Sequence, residues 1–170
     1  MSEQTYLNIA VLTISDTRNE ETDTSGHYLV KAATDAGHHI ADKKIVIDDV
    51  YQIRAVISDW IADNNIHAIV TTGGTGFSGR DSTPEAVSVL FDKHVEGFGE
   101  VFRSISLDEI GVSTIQSRAL AGLANNTVIF CIPGSTGACK TAWNNIIEKQ
   151  LNSAYRPCNF VGHLTEKWTK

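Results

Sequence analysis

The chain contains no apolar run long enough to cross a membrane. Its longest uninterrupted one, Val128 to Ile132, falls far short of the roughly 18 residues that such a span needs. Cysteine is scarce. Cys131, Cys139 and Cys158 are odd in number and lack the paired spacing of a metal finger, which predicts reduced, structural thiols rather than a disulfide frame or a zinc site. Positive charge is also in deficit: 14 Lys and Arg against 20 Asp and Glu leave a net charge of -6. Nucleic-acid binding needs a basic face to neutralise phosphates, and these scattered basic residues do not make one. An anionic ligand would have to be held locally, by backbone N–H groups, a few arginines or a bound cation. Met1 to Thr5 is polar and has no basic stretch ahead of an apolar one, so no secretory leader is expected and the cytoplasm is the predicted location.

What is present is ordinary for a globular protein. With 170 residues, 42% hydrophobic and 20% charged, the chain can bury a core without staples, and residues 1–170 are expected to form a single domain. Leu7 to Ile14 reads as a buried parallel strand, being short, β-branched and nearly continuous in apolar residues. A helix follows, capped by Thr24 or Ser25, running to Ala36 and stopped by Gly37. A second strand is predicted over about Ile40 to Ile47. Beyond Asp48 and Asp49, residues Ile53, Val56, Ile57, Trp60 and Ile61 recur at i, i+3, i+4, i+7 and i+8, which is one helix face.

Ala68 to Thr72 is the third strand and runs straight into Gly73-Gly74-Thr75-Gly76. Thr83 and Pro84 have the chemistry of an N-cap and first helical position. Helix is expected again over Gly97 to Leu107, strand over Thr127 to Ile132, and a last helix with Cys139, Trp143, Ile146, Ile147 and Leu151 on one face. An irregular tail is expected from Tyr155. No internal repeat, low-complexity tract or linker divides the chain. Strands alternating with helices predict an α/β fold with a single doubly wound domain.

In such sheets ligands sit beyond the carboxyl ends of the strands. Here those ends carry Ser15-Asp16, Asp48-Asp49, Gly73 to Asp81 and Pro133-Gly134-Ser135. The run Gly74 to Gly79 has the letters of the dinucleotide fingerprint G-x-G-x-x-G, which would make the chain a nicotinamide-dependent oxidoreductase. However, it follows the third strand rather than the first and does not open directly into a helix. It also lacks the Gly-Lys-Ser/Thr ending of a P-loop. What it offers is small residues whose amides can approach a phosphate. Asp49 and Asp81 flank it on neighbouring crossovers, and paired carboxylates beside a phosphate suit Mg2+. On spacing alone, Asp49 can equally cap the helix that follows it, and Asp81 can equally serve to order its loop.

The ordered set Thr13-Ile14-Ser15-Asp16, Thr72 to Gly76, Asp81-Ser82-Thr83-Pro84-Glu85-Ala86, Gly97-Phe98-Gly99-Glu100, Ser117-Arg118-Ala119 and Pro133-Gly134-Ser135 resembles the molybdopterin-binding family of molybdenum cofactor biosynthesis. The likeness extends from Ile9 to about Cys158. It implies a central, mostly parallel sheet and assembly as a homo-oligomer, either trimer or hexamer. It further implies transfer of an adenylyl group from Mg-ATP to the terminal phosphate of molybdopterin, or a non-catalytic molybdopterin-binding or carrier role. By motif, Asp49 and Asp81 match the family's catalytic, Mg2+-associated aspartates. Ser15, Asp16, Gly73, Gly74, Thr75, Gly76, Ser82, Thr83, Pro84, Glu85, Pro133, Gly134 and Ser135 match its pterin-phosphate and nucleotide region. The partners so implied are molybdopterin, ATP, further copies of the chain and other enzymes of the pathway, with no nucleic acid and no membrane. Arg80 and Arg118 could add charge or only brace loops. One departure is Thr136, where many relatives place proline after the Pro-Gly turn, and a looser loop is expected there.

Overall fold

A computed structural model describes residues 4–166. The start of the polar N-terminal stretch and the end of the expected irregular tail lie outside the described residues. A six-stranded sheet runs in the order β2-β1-β3-β6-β5-β4. Its strands are β1 (Asn8–Ile14), β2 (His39–Val46), β3 (Ala68–Thr72), β4 (Lys93–His94), β5 (Leu120–Ala124) and β6 (Thr127–Ile132). β2, β1, β3 and β6 are parallel, whereas β5 and β4 are antiparallel additions at one side.

The three central strands are apolar almost without interruption because helices cover both of their faces. Alternation along each strand divides two cores. Ile9, Val11, Ala68, Val70, Val128, Phe130 and Ile132 point to one. Ala10, Leu12, Ile14, Ile69, Ile129 and Cys131 point to the other. The first core is covered by α1 (Thr24–Asp35), α4 (Glu96–Ile110) and α5 (Thr136–Ala142), the last continued by a π-helical turn (Trp143–Ile147) and α6 (Glu148–Gln150). The second is covered by α2 (Val50–Ala62) and α3 (Thr83–Val87). Cys131 and Cys139 are buried, as expected of structural thiols, and burial pushes the Cys131 thiol up to about 12, whereas Cys158 is exposed and departs from that expectation.

The predicted helix face of α2 is the one that packs, with Ile53, Ile57 and Trp60 buried. Three local readings change. The cap of α1 is Asp23, fully buried, with Oδ1 accepting the Gly26 N–H at 2.9 Å. Thr24 and Ser25 lie inside the helix and turn their hydroxyls towards the loop after β6. Thr83 likewise begins α3 rather than capping it, because its hydroxyl donates to the Gly73 carbonyl (2.8 Å). The tail is not wholly irregular, since Phe160 and the short helix α7 (Val161–Thr165) pack on the first core.

The β5 segment carries no strand signal in the sequence. Leu120-Ala-Gly-Leu-Ala has weak strand propensity, but a two-residue turn, Asn125 (φ 48°) and Asn126 (φ 62°), folds it against β6. Asparagine tolerates that left-handed geometry, which matches the twist of a tight hairpin. Among the described residues no helix is long and apolar enough to cross a membrane.

Candidate functional site

The chain leaves β1 for β2 on one side and later enters β3 on the other, so the loops after β1 and β3 diverge and open a crevice at their carboxyl ends. A cleft of about 730 Å³ lies there, within the range of small-molecule sites. Ser15, Gly73 to Gly76, Asp81 and Pro133 to Ser135 all line it. Asp16, Asp49 and Ser82 to Glu85 do not.

The glycine loop is shaped by close approach. Gly73 has φ +110°, and a Cβ on it would lie 2.0 Å from the Ile14 carbonyl oxygen. Gly74 has φ +69°, and a Cβ there would lie 2.2 Å from Thr83 Oγ1 and 2.7 Å from Asp48 Oδ2. The N–H of Gly73 donates to Ile132 O (3.0 Å) and is spent on the sheet. The loop carbonyls are spent as well. Gly74 O accepts from Thr83 N, Thr75 O from Arg118 N, and Gly76 O from the Arg118 guanidinium. The amides of Gly74, Thr75 and Gly76 have no acceptor among the described residues. A loop with its carbonyls tied back and its N–H groups free is suited to an anion.

Arg118 is therefore a brace, also pairing with Glu85 and donating to Asp81 O (3.1 Å). Arg80 is engaged too, through a forked pair with Asp16 at 2.9 and 2.8 Å. Those bonds, with a further one from the Asp48 N–H, hold the Asp16 carboxyl down at about 2. Arg18 is the cation that the cleft lining does contain. Its guanidinium donates to the Thr24 hydroxyl at 2.9 Å and, among the described residues, pairs with no carboxylate. No sequence motif singles it out.

The carboxylates separate in the same way. Asp81 lines the cleft, with Oδ2 accepting the Ser78 N–H at 2.8 Å. Asp49 caps α2, its Oδ1 accepting the N–H groups of Tyr51 (3.0 Å) and Gln52 (2.9 Å). Its neighbour Asp48 is the one tucked under the glycine loop, accepting from the Ser82 N–H and hydroxyl. Beneath the β1 end lies Asp23. Burial raises its carboxyl, but hydrogen bonds from Thr13 and Gly26 and the nearby Lys43 ammonium outweigh this and leave it lowered. Thr136 does not loosen its loop, because its hydroxyl lies 3.0 Å from that of Thr24 and 3.2 Å from that of Ser25. A second wall is formed by Phe102, Ser106, Glu109 and Ile110 on one face of α4, of which the sequence gave no sign, and by Ser117 beyond it, which the sequence marked only as part of a family motif.

The family described as "Probable molybdopterin binding domain" matches residues 10–153. The chain belongs to this molybdopterin-binding family. It is 58% identical to molybdenum cofactor biosynthesis protein B of Escherichia coli (strain K12) over 156 residues, covering 92% of each chain. Against the Bacillus subtilis (strain 168) protein of the same name it is 43% identical, covering 86% of each. Among solved structures, a molybdenum cofactor biosynthesis protein B superposes with a TM-score of 0.84 at 42% identity, over 86% of this chain and 92% of that one. The tungsten cofactor synthesizing protein MoaB from Pyrococcus furiosus gives 0.76 at 36% identity, over 85% and 92%. The α/β fold with its mostly parallel sheet is thus the fold of the molybdopterin-binding family, and the role lies in molybdenum cofactor biosynthesis.

Proposed function

We propose that the cleft binds molybdopterin and transfers an adenylyl group from Mg-ATP to its terminal phosphate. The observation that carries this reading is the run of unpartnered amides, Gly74 to Gly76, in one crevice with Arg18. These groups favour a phosphate held by fixed dipoles and one cation. In the transfer, a terminal phosphate oxygen of molybdopterin forms a bond to the α-phosphorus of ATP, the α–β bridging bond breaks, and pyrophosphate leaves. The gain comes from positioning and from neutralising crowded negative charge, and no protein nucleophile is needed.

Among the described residues no cluster of three or more His, Cys, Asp or Glu is placed to hold a metal. Mg2+ commonly needs only one or two carboxylates when phosphates and waters complete its shell. Asp81, in the cleft, fits that part. Asp49 has only its Oδ2 uncommitted and stands outside the cleft lining, so it is the weaker member of the pair. That weakness is what favours the second reading, a molybdopterin carrier without transfer. Incubation with molybdopterin and Mg-ATP is expected to release pyrophosphate and form adenylylated molybdopterin. Tight binding with no product would leave the carrier, and no binding would remove both.

Homo-oligomeric assembly belongs to the same reading, as does a cytoplasmic setting. Ile110 at the end of α4, and Val112 and Ile115 in the 3-10 turn that follows it (Gly111–Gln116), are exposed apolar side chains close together in the chain. A surface of that kind is suited to burial between copies. Sedimentation at micromolar concentration is expected to give trimers or hexamers, and a monomer there would exclude the assembly.

A further inference from the structure

We infer that Glu109 reads the amino-pyrimidinone edge of a pterin ring, and that the α4 wall of the cleft is therefore the ring-binding half. This rests on the reading above, in which the glycine loop takes the phosphate. Glu109 lies on the cleft-lining face of α4 with Phe102 and Ser106. Its Oε2 is 2.7 Å from the hydroxyl of Thr141, a buried residue of α5. That hydroxyl is also 3.0 Å from the Gly137 carbonyl. With a single proton to donate, it favours the carboxylate, where the bond is charge-assisted. The tether sets the carboxylate's direction. Oε1 has no partner among the described residues, and a carboxylate has about four acceptor sites, so one bond from Thr141 leaves room for two more.

A second observation points to a ligand on the same wall. Ser117 lines the cleft, yet its buried Oγ has no hydrogen-bond partner among the described residues. A buried hydroxyl left unpaired is unfavourable, and rotation of this half-buried side chain towards the cleft would let a ring bearing both donors and acceptors satisfy it. The selectivity follows from the donor pattern. A pterin presents an amino group and a ring N–H side by side, two donors that match two carboxylate oxygens. Adenine presents a donor beside an acceptor, and a lumazine replaces the amino group by a carbonyl, so each sets an acceptor against the carboxylate. Glu109 would thus hold the pterin in this half and keep the adenine of ATP out of it.

The test is calorimetric titration of the full chain and of Glu109→Gln with 6-hydroxymethylpterin phosphate, its lumazine analogue, guanosine monophosphate and methyl phosphate. The parent is expected to prefer the pterin over the lumazine by about tenfold or more, the scale of one charged hydrogen bond. Glu109→Gln is expected to lose most of that preference and to bind methyl phosphate as the parent does. Equal binding of pterin and lumazine phosphates by the parent would overturn the inference while leaving the phosphate site standing. Guanosine monophosphate binding as tightly as the pterin would overturn the pterin assignment, because guanine carries the same edge. Failure of every phosphate ester to bind would remove the glycine-loop reading and this one with it.

Discussion

Asp81→Asn is expected to lower adenylyl transfer by roughly 10²-fold or more, the scale of losing one preorganised electrostatic group, with little change in melting temperature. The structure explains why the two effects separate. Asp81 accepts the Ser78 N–H through one carboxylate oxygen, and an asparagine carbonyl can keep that bond. Its backbone carbonyl, which accepts from Arg118, is untouched. The substitution therefore removes charge while preserving the loop, and changes outside cores and buried networks usually stay within about 0.5 kcal/mol. Binding of molybdopterin without nucleotide is expected to survive, since the amides of Gly74 to Gly76 and Arg18 remain. Melting and single-turnover transfer on the same variant check the prediction. Early melting would make Asp81 a structural carboxylate, and transfer at the parent rate would make it a bystander.

Gly73→Ala is expected to destabilise the fold by about 3 kcal/mol or more, because it combines a disfavoured backbone region with a steric overlap. At φ +110° an alanine is strained before any contact is counted, and its Cβ would fall 2.0 Å from the Ile14 carbonyl oxygen. Neither group can step aside easily. Gly73 N–H is bonded to Ile132 O, and Ile14 closes β1 in register with Val46, so the overlap lies where the ends of β1, β3 and β6 converge. For a chain of this size the shift in melting temperature would be roughly 10 °C. Gly79→Ala is the matched control. It is the last glycine of the same fingerprint-like run, but a Cβ there meets nothing within 4 Å, and a change within about 0.5 kcal/mol is expected. Equal losses at the two positions would show that general loop flexibility, not close approach after β3, accounts for the glycines.

That contrast also marks how far the site was legible. The run from Gly73 to Gly79 announces a tight loop at a strand end, but its letters do not say which glycine is indispensable or which amides stay free. The two carboxylates looked equivalent by spacing, and the structure separates them: Asp81 faces the cleft, while Asp49 is taken up by the amides of Tyr51 and Gln52. Arg80 and Arg118, the two arginines that the sequence offered for the site, are consumed by Asp16 and by loop carbonyls, and Arg18 remains.

By itself the sequence determined the strands β1, β3 and β6, the buried face of α2, the alternation of strands and helices that makes the fold α/β, and the motifs that place the chain in its family. Those features rest on local periodicity and on residues that act where they stand, so short stretches suffice to reveal them. Only the tertiary structure decided the β5 hairpin, the wall that α4 contributes and the partner of each charged side chain. These depend on contacts between segments far apart in the chain, such as Arg80 with Asp16 or Thr141 with Glu109. A charged side chain bonds to whichever group the assembled sheet brings within about 3 Å of it, and the pattern of residues around it in the sequence carries no record of that distance.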